Sequence, residues 1–192
     1  MEFRVPVIYG SVRVERRGIK AARFMVRELE RRGCKPVLID PMEYALPLLE
    51  KQYSDYPRGT APKMLEELAE IYRNADGFAI VSGEYNHGVP AALKNLLDYF
   101  LEEYFWRPSA IVCYSGGRFG GVRAAVHLRA VLCELGMPST PSLLAIPAVG
   151  EAFTEEGMPT DPRFVERNEQ FFTEFLWYME ALKSQRAKGV PY

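Results

Sequence analysis

DGFAIVSGEYNHGVPAALKN, Asp76 to Asn95, holds a strand, a polar turn and the start of a helix. Phe78, Ala79, Ile80 and Val81 are apolar without alternation, the pattern of a strand buried on both faces of its sheet. Ser82-Gly83 ends the run. Pro90 suits the first turn of the following helix, where its missing N–H costs nothing. A buried strand that passes through a short loop into a helix is the repeating unit of a parallel sheet covered by helices. Between the two, Gly83-Glu84-Tyr85-Asn86-His87-Gly88 places an acid, a phenol, an amide and an imidazole between two glycines. Structural turns seldom concentrate that much chemistry.

The same unit recurs outward in both directions. Phe3–Tyr9 reads as a first buried strand, with Pro6 as a flaw because proline donates nothing to a ladder. Gly10-Ser11-Val12-Arg13 follows, and from Ile19 the positions Ile19, Ala22, Met25, Val26 and Leu29 keep helical spacing to a Gly33 cap. Lys35–Ile39 is a second strand. Residues 42–59 form a connection long enough to suggest function, after which Thr60 is placed to cap a helix carrying Leu65, Leu68 and Tyr72. Ser109–Tyr114 is a fourth strand, running into Ser115-Gly116-Gly117-Arg118-Phe119-Gly120-Gly121 and a helix over 122–135. Ser142–Ile146 is the fifth. Residues 147–160 read as irregular, a last helix starts at Asp161-Pro162, and the tail AKGVPY as frayed. Leu93, Leu96, Leu97, Phe100 and Leu101, with Tyr99, Tyr104, Phe105 and Trp106, exceed what one sheet face needs, so this band is the expected contact with another subunit.

Five strand–helix repeats predict an α/β chain: a flavodoxin-like three-layer sandwich, its five-stranded parallel sheet ordered 2-1-3-4-5 with helices on both faces. At 192 residues it is expected to form one domain over 1–192. The ligand crevice of that topology lies where the strand order reverses, so the loops after strands one and three meet there, with the loop after strand four beside them.

Bulk chemistry narrows the class. Lys plus Arg number 24 and Asp plus Glu 25, a formal net charge of −1 that argues against a nucleic-acid or membrane-surface footprint. Three scattered cysteines and two histidines assemble no zinc cluster. No leader-like or membrane-spanning segment is apparent, which points to a reduced cytoplasmic protein.

Loop one offers a glycine for close approach, the Ser11 hydroxyl, the Arg13 cation and a helix N-terminus, the ingredients of a phosphate site, with Arg16 and Arg17 adding positive potential. A plain strand-to-helix turn with solvated arginines is the alternative. In loop three, backbone groups can lie along a flat polar heterocycle with Tyr85 as a wall; Glu84 and Asn86 can also serve as turn caps. His87 is a weak candidate acid or base. Four glycines in loop four allow a ligand close to the backbone; Arg118 either meets a phosphate or faces water.

GSVR after strand one, GEYNHGVPAALKNLLDY after strand three and SGGRFGGVRA after strand four resemble the NADPH-dependent FMN reductase family, over nearly the whole chain. The resemblance implies bound FMN, with NADPH or NADH as co-substrate. It implies an oxidoreductase passing hydride to a small-molecule acceptor (quinone, free flavin, azo compound or metal oxyanion) in ping-pong fashion, and a homodimer or homotetramer. It places Ser11, Arg13, Arg17, Gly18 and Ile19 at the FMN phosphate, and Glu84, Tyr85, Asn86, His87 and Gly88 along the ring and ribityl chain. Ser115, Gly116, Gly117 and Gly120 close the other side. No side chain is assigned as catalytic, since the flavin carries the chemistry. Gly83 stands where relatives often have proline, and Arg16 where many have a small hydroxyl residue. An electron-carrying flavodoxin or a non-catalytic flavin sensor is the alternative, though the chain lacks the acidity and the Ser/Thr-rich phosphate loop of a carrier.

Overall fold

A computed structural model describes residues 2–192. Five strands, β1 (Arg4–Tyr9), β2 (Lys35–Ile39), β3 (Phe78–Gly83), β4 (Ser109–Tyr114) and β5 (Ser139–Ile146), form one sheet in the order β2-β1-β3-β4-β5. Every pairing is parallel. The sheet is the flavodoxin-like arrangement that the apolar runs predict.

Alternation within the strands feeds two cores. Val5, Val7, Val81 and Val112 face α1 (Ile19–Arg31) and α7 (Glu169–Arg186), where Phe24, Met25, Phe172 and Phe175 pack. Ile8, Ile80 and Ile111 face α2 (Lys63–Arg73), α3 (Ala91–Asp98) and α4 (Val122–Glu134), contributing Leu68, Tyr72, Leu93, Leu96 and Leu128. Both faces of β3 and β4 are covered, so every residue in those strands is buried. Pro6 does little harm: β1 pairs with β3 only from Val7 onward, so its missing N–H falls before that ladder begins.

Several expectations are corrected. Thr60 does not cap α2: its hydroxyl bonds the Pro57 carbonyl at 2.8 Å, and the helix starts at Lys63 behind Pro62. Strand β5 begins at Ser139, because an irregularity in the β4–β5 register between Ser109 and Ile111 lets the ladder pass Pro141. The stretch after β5 contains a short helix α5 (Val149–Ala152), and the last helix is preceded by α6 (Phe164–Arg167) and a break at Asn168. The connection over 42–59 contributes no lining residue to the cavities at the carboxyl end of the sheet. Asn95 of α3 fastens it, accepting from Leu49 N at 2.9 Å and donating to Pro47 O at 2.7 Å.

The aromatic band is also reassigned. Leu93, Leu96, Leu97, Tyr99, Phe100 and Tyr104 are all buried within this chain, where Tyr72, Phe78, Phe100 and Tyr104 stack edge to face or tilted. The half-buried Phe105 and Trp106 have the ring of Tyr192 against them, at centroid distances of 5.8 and 4.8 Å, so the tail is not simply frayed. Most of the excess apolar surface is spent on an aromatic core, while Leu101 stays exposed. Among the described residues, no helix is long and apolar enough to cross a membrane.

Candidate functional site

The loops after β1, β3 and β4 converge at the carboxyl end of the sheet. They enclose a cleft of about 330 Å³ lined by Ser11, Arg13, Glu15, Arg16, Arg17, Gly18, Gly83, Glu84, Tyr85, Tyr114, Ser115, Gly116 and Val149. A second lobe of about 450 Å³ adjoins it, sharing Glu15, Arg16, Arg17 and Gly116 and extending past Ile19 and Lys20 to Ala148, Gly150, Glu151 and Glu155. The segment after β5 is thus part of the site, a fourth loop missed by the sequence reading. It is stitched to loop four by Ala148 N to Gly117 O at 3.0 Å and Val149 N to Ser115 O at 3.1 Å. Ala148 holds φ 44°, a left-handed conformation unusual for alanine.

Loop one leaves main-chain donors unpaired. Among the described residues, the N–H groups of Ser11, Val12, Val14, Glu15, Arg17 and Gly18 donate to no protein acceptor, and Arg13 N makes only a 3.4 Å contact to Ser11 Oγ. Together with the start of α1 they make a concentration of partial positive charge suited to an anion. The arginines divide unequally. Arg16, expected to add to the positive field, is bound to Asp40 at 2.5 and 2.6 Å, a carboxylate only 3% exposed. Its charge is largely answered from within the protein. Arg17 pairs with Glu15 at the surface. Arg13 has no ion-pair partner among the described residues and is the cation left for a guest.

Beneath loop one lies a cluster of hydroxyls. Ser11 Oγ and Tyr85 OH are 2.7 Å apart, Tyr114 OH donates to Tyr9 OH at 3.4 Å, and Tyr9 OH donates to Arg16 O at 3.2 Å. Burial pushes both Tyr9 and Tyr114 up from the ordinary phenol range, so both stay protonated donors. The two tyrosines are floor residues that sequence reading passed over. Their signal was an aromatic as the last strand residue before each glycine-bearing loop. The Tyr114 ring fills the space beside Gly18, where a Cβ would stand 2.0 Å from its Cζ.

Loop three is a two-residue hairpin. Tyr85 and Gly88 exchange both hydrogen bonds, at 3.1 and 2.9 Å, and the central Asn86 and His87 hold φ of 49° and 66°. Two positive φ values define a type I′ turn. Asparagine is a favoured first residue there, but the second favours glycine, so His87 sits in a strained position. Glu84 points elsewhere. Its carboxylate accepts the N–H groups of Arg123 and Ala124 at 3.1 and 3.3 Å, capping the N-terminus of α4, and pairs with Arg123 Nε at 3.1 Å. The charge compensates the helix dipole and leaves Glu84 committed to structure. Arg123 also reaches His87 Nε2, at 2.8 Å. Nothing in the sequence signalled this residue.

Loop four is partly open and partly structural. A Cβ on Gly116 or Gly117 would meet nothing within 4 Å, leaving bare backbone exposed beside the cleft. Ser115 Oγ donates to Gly117 O and accepts from Gly120 N, so the side chain braces the loop. Gly120 does not face the cleft. It is buried against β5, where a Cβ would come within 3.1 Å of Ile146 N, and its φ of 63° needs glycine for the turn itself. Arg118 is exposed and lies 4.9 Å from the Phe119 ring, lining neither lobe.

Ser11, Arg13, Arg17, Gly18, Gly83, Glu84, Tyr85, Ser115 and Gly116 therefore come together around the cleft, and Ile19 lines the second lobe. Asn86 and His87 form the hairpin tip and Gly88 pairs with Tyr85 at its base; these three and Gly117 line neither lobe. Among the described residues no group of three acidic, His or Cys side chains is placed to hold a metal. Cys113 is buried, its thiol pushed up to about 12 by desolvation, so it is no thiolate nucleophile.

A family model described as NADPH-dependent FMN reductase matches residues 3–151. The chain is 33% identical over 129 residues to the NADH:(hydroxy)cinnamate reductase subunit CrdA of Vibrio ruber, spanning 63% of this chain and 63% of that protein. It is 31% identical over 148 residues to an NAD(P)H-dependent FMN reductase of Saccharomyces cerevisiae, spanning 70% and 75%. A 41% match to a quinone reductase of Escherichia coli spans only 78 residues, 42% of that protein. The chain thus matches less than two thirds of the length of some curated relatives. Among solved structures, the flavoenzyme NAD(P)H:(acceptor) oxidoreductase FerB of Paracoccus denitrificans superposes with a TM-score of 0.73 over 92% of this chain and 97% of that one, at 22% identity. That likeness establishes the shared fold.

Proposed function

The chain belongs to the NADPH-dependent FMN reductase family, and from that membership we propose that it is an FMN-dependent NAD(P)H oxidoreductase reducing a small acceptor by a ping-pong route. The residues present fit FMN. Loop one supplies the unpaired N–H groups and the unpartnered Arg13 that a phosphate needs. Gly116 and Gly117 present backbone with room beside it for a ring or chain to lie close. Ser11, Arg13 and Gly18 would hold the phosphate, and Tyr85 with loop four would flank the remainder.

Bound there, FMN would supply two-electron chemistry, taking hydride from the nicotinamide and returning it, with a solvent proton, to the acceptor. The protein's own work is binding and orientation. Loop-three N–H groups at Asn86 and His87 donate to no protein acceptor and are available to a polar ring edge. The Tyr9 and Tyr114 hydroxyls hold loop one from below, and Glu84 fixes the start of α4. No side chain is required as acid or base, which agrees with Glu84 being committed to a helix N-terminus. The acceptor class is a quinone, free flavin, azo compound or metal oxyanion, in a cytoplasmic homodimer or homotetramer.

The unpaired donor cradle of loop one carries this reading. Its test is direct: the purified protein is incubated with FMN, desalted, and treated with NADPH without oxygen. A retained flavin spectrum that bleaches on NADPH addition and returns on adding quinone is expected. A protein that retains no FMN overturns the proposal, and tight FMN with no bleaching by either nicotinamide replaces the enzyme with a sensor or carrier.

A further inference from the structure

His87 occupies a backbone conformation that glycine would fill more easily, at the tip of the hairpin whose base lines the cleft. Strain of this kind persists where the surroundings over-determine it. The surroundings here are Arg123 and Glu84. Arg123 lies against the Phe119 ring at 4.6 Å, its Nε is 3.1 Å from Glu84 Oε1, and its Nη1 is 2.8 Å from His87 Nε2. The Glu84 side chain is only 8% exposed and is anchored by the N–H groups of α4, so the chain of contacts ends on a fixed element.

The chemistry of the contact fixes the tautomer. A guanidinium has five donors and no acceptor, and it does not deprotonate in proteins. Nε2 of His87 must therefore be the acceptor, and the ring proton of the neutral imidazole sits on Nδ1. Nδ1 has no partner among the described residues. A strained, exposed histidine with one nitrogen held by the Arg123 guanidinium presents one N–H donor.

We propose that Glu84, Arg123 and His87 form an orienting relay that presents His87 Nδ1–H to an oxygen atom of the acceptor substrate. The relay would favour carbonyl-type acceptors such as quinones over acceptors reduced without a directed hydrogen bond. This rests on the oxidoreductase reading above. The hydrogen bond orients and polarises the acceptor oxygen; no proton is transferred from the ring. Arg123 and Glu84 act through His87 and are positioning residues.

Two measurements test it. The first is independent of turnover: long-range 15N–1H correlation spectra of protein labelled at histidine. In the wild type His87 should show the Nδ1–H pattern, and Arg123→Leu should convert it to the tautomer mixture of a free imidazole. Arg123→Lys, which keeps a cationic donor, should retain the Nδ1–H pattern in part. The second is the ratio of benzoquinone to ferricyanide reduction at fixed NADPH, ferricyanide taking electrons singly without a carbonyl oxygen. His87→Phe and Arg123→Leu should lower that ratio about fivefold to tenfold, the worth of one neutral hydrogen bond, with Arg123→Lys intermediate. An Nε2–H pattern in the wild type, or a ratio unmoved in both variants, overturns the relay. If the wild type oxidises NADPH with neither acceptor, the oxidoreductase reading has failed, and the spectra alone then decide the relay's geometry.

Discussion

Replacing Gly18 by alanine should disturb the phosphate loop through a single contact. Gly18 has φ −68° and ψ −11°, an ordinary right-handed conformation, so alanine meets no backbone penalty there. The obstacle is Tyr114. An added Cβ would lie 2.0 Å from its Cζ, 2.3 Å from Cε2 and 2.4 Å from its hydroxyl. Ordinary contact needs roughly 3.5 Å or more, so ring or loop must move by about 1.5 Å. Tyr114 is poorly able to move: it ends the buried strand β4, packs beside Tyr9 at 6.3 Å between ring centroids, and hydrogen-bonds to it. Overpacking of this kind costs about 1–3 kcal/mol, or a fall of about 2–12 °C in Tm for a chain of this size. Retention of FMN should fall with it, because the displaced N–H groups are those of the anion cradle. Thermal melting with and without FMN measures both effects. Shortening the ring supplies the decisive control: Tyr114→Leu should offset the Gly18→Ala cost, with a coupling of at least ~1 kcal/mol, whereas Tyr114→Phe keeps Cζ and should not. A Gly18→Ala protein that melts and binds flavin like the wild type would refute the steric argument, as would strict additivity with Tyr114→Leu.

Arg13→Ala should weaken FMN retention by about 1–3 kcal/mol while leaving Tm of the flavin-free protein nearly unchanged, since Arg13 is exposed and ion-pairs with no described residue; equilibrium dialysis separates the two. Asp40→Asn should do the opposite. It leaves Arg16 without its buried counter-charge, costing about 1–3 kcal/mol of stability after allowing for the exposure of the guanidinium, while the freed cation raises affinity for phosphate-bearing flavin at low salt. A fall in both properties would show that Asp40 shapes the cleft rather than neutralising Arg16. His87→Gly should leave stability unchanged or raise it by up to ~1 kcal/mol, because glycine accepts the φ of 66° that strains histidine; chemical denaturation that shows a loss instead would mean the Arg123 contact outweighs the turn strain.

The sheet was legible in sequence because its signal is local and redundant. Uninterrupted apolar runs such as Phe78–Val81 have no other reading when repeated five times between amphipathic segments. The failures came where an element's role depends on partners distant in sequence. The band around Leu93–Trp106 was too apolar for one sheet face, and periodicity could not tell a subunit interface from the aromatic core that Tyr72 and Phe78 complete from two other elements. Thr60 looked like a cap by type, but Pro62 two residues on preset the helix start. In the site, loops one and three were legible as composition. The commitments of their side chains were not: Glu84 is claimed by the N-terminus of α4, and Arg16 by an aspartate 24 positions away.

Those commitments bear on how the site handles charge. A cleft lined by Arg13, Arg16 and Arg17 reads as strongly cationic, yet Asp40 and Glu15 answer two of the three. Main-chain N–H groups and the one of these arginines without an ion-pair partner among the described residues, Arg13, then carry anion recognition. Backbone dipoles are fixed by the fold and need no side-chain ordering on binding, whereas each long cation immobilised on a phosphate loses rotamer entropy. Loop three follows the same economy, keeping its Asn86 and His87 N–H groups unpaired by holding both residues in left-handed conformations. In both loops unpaired main-chain N–H groups stand beside the side chains of Ser11, Arg13 and Tyr85 at the cleft, and Asp40, Glu84, Tyr9 and Tyr114 hold that main chain in place. Substitutions in this second set should therefore alter flavin binding without touching the flavin, and Gly18, which contributes no side chain at all, reaches the same main chain through its contact with Tyr114.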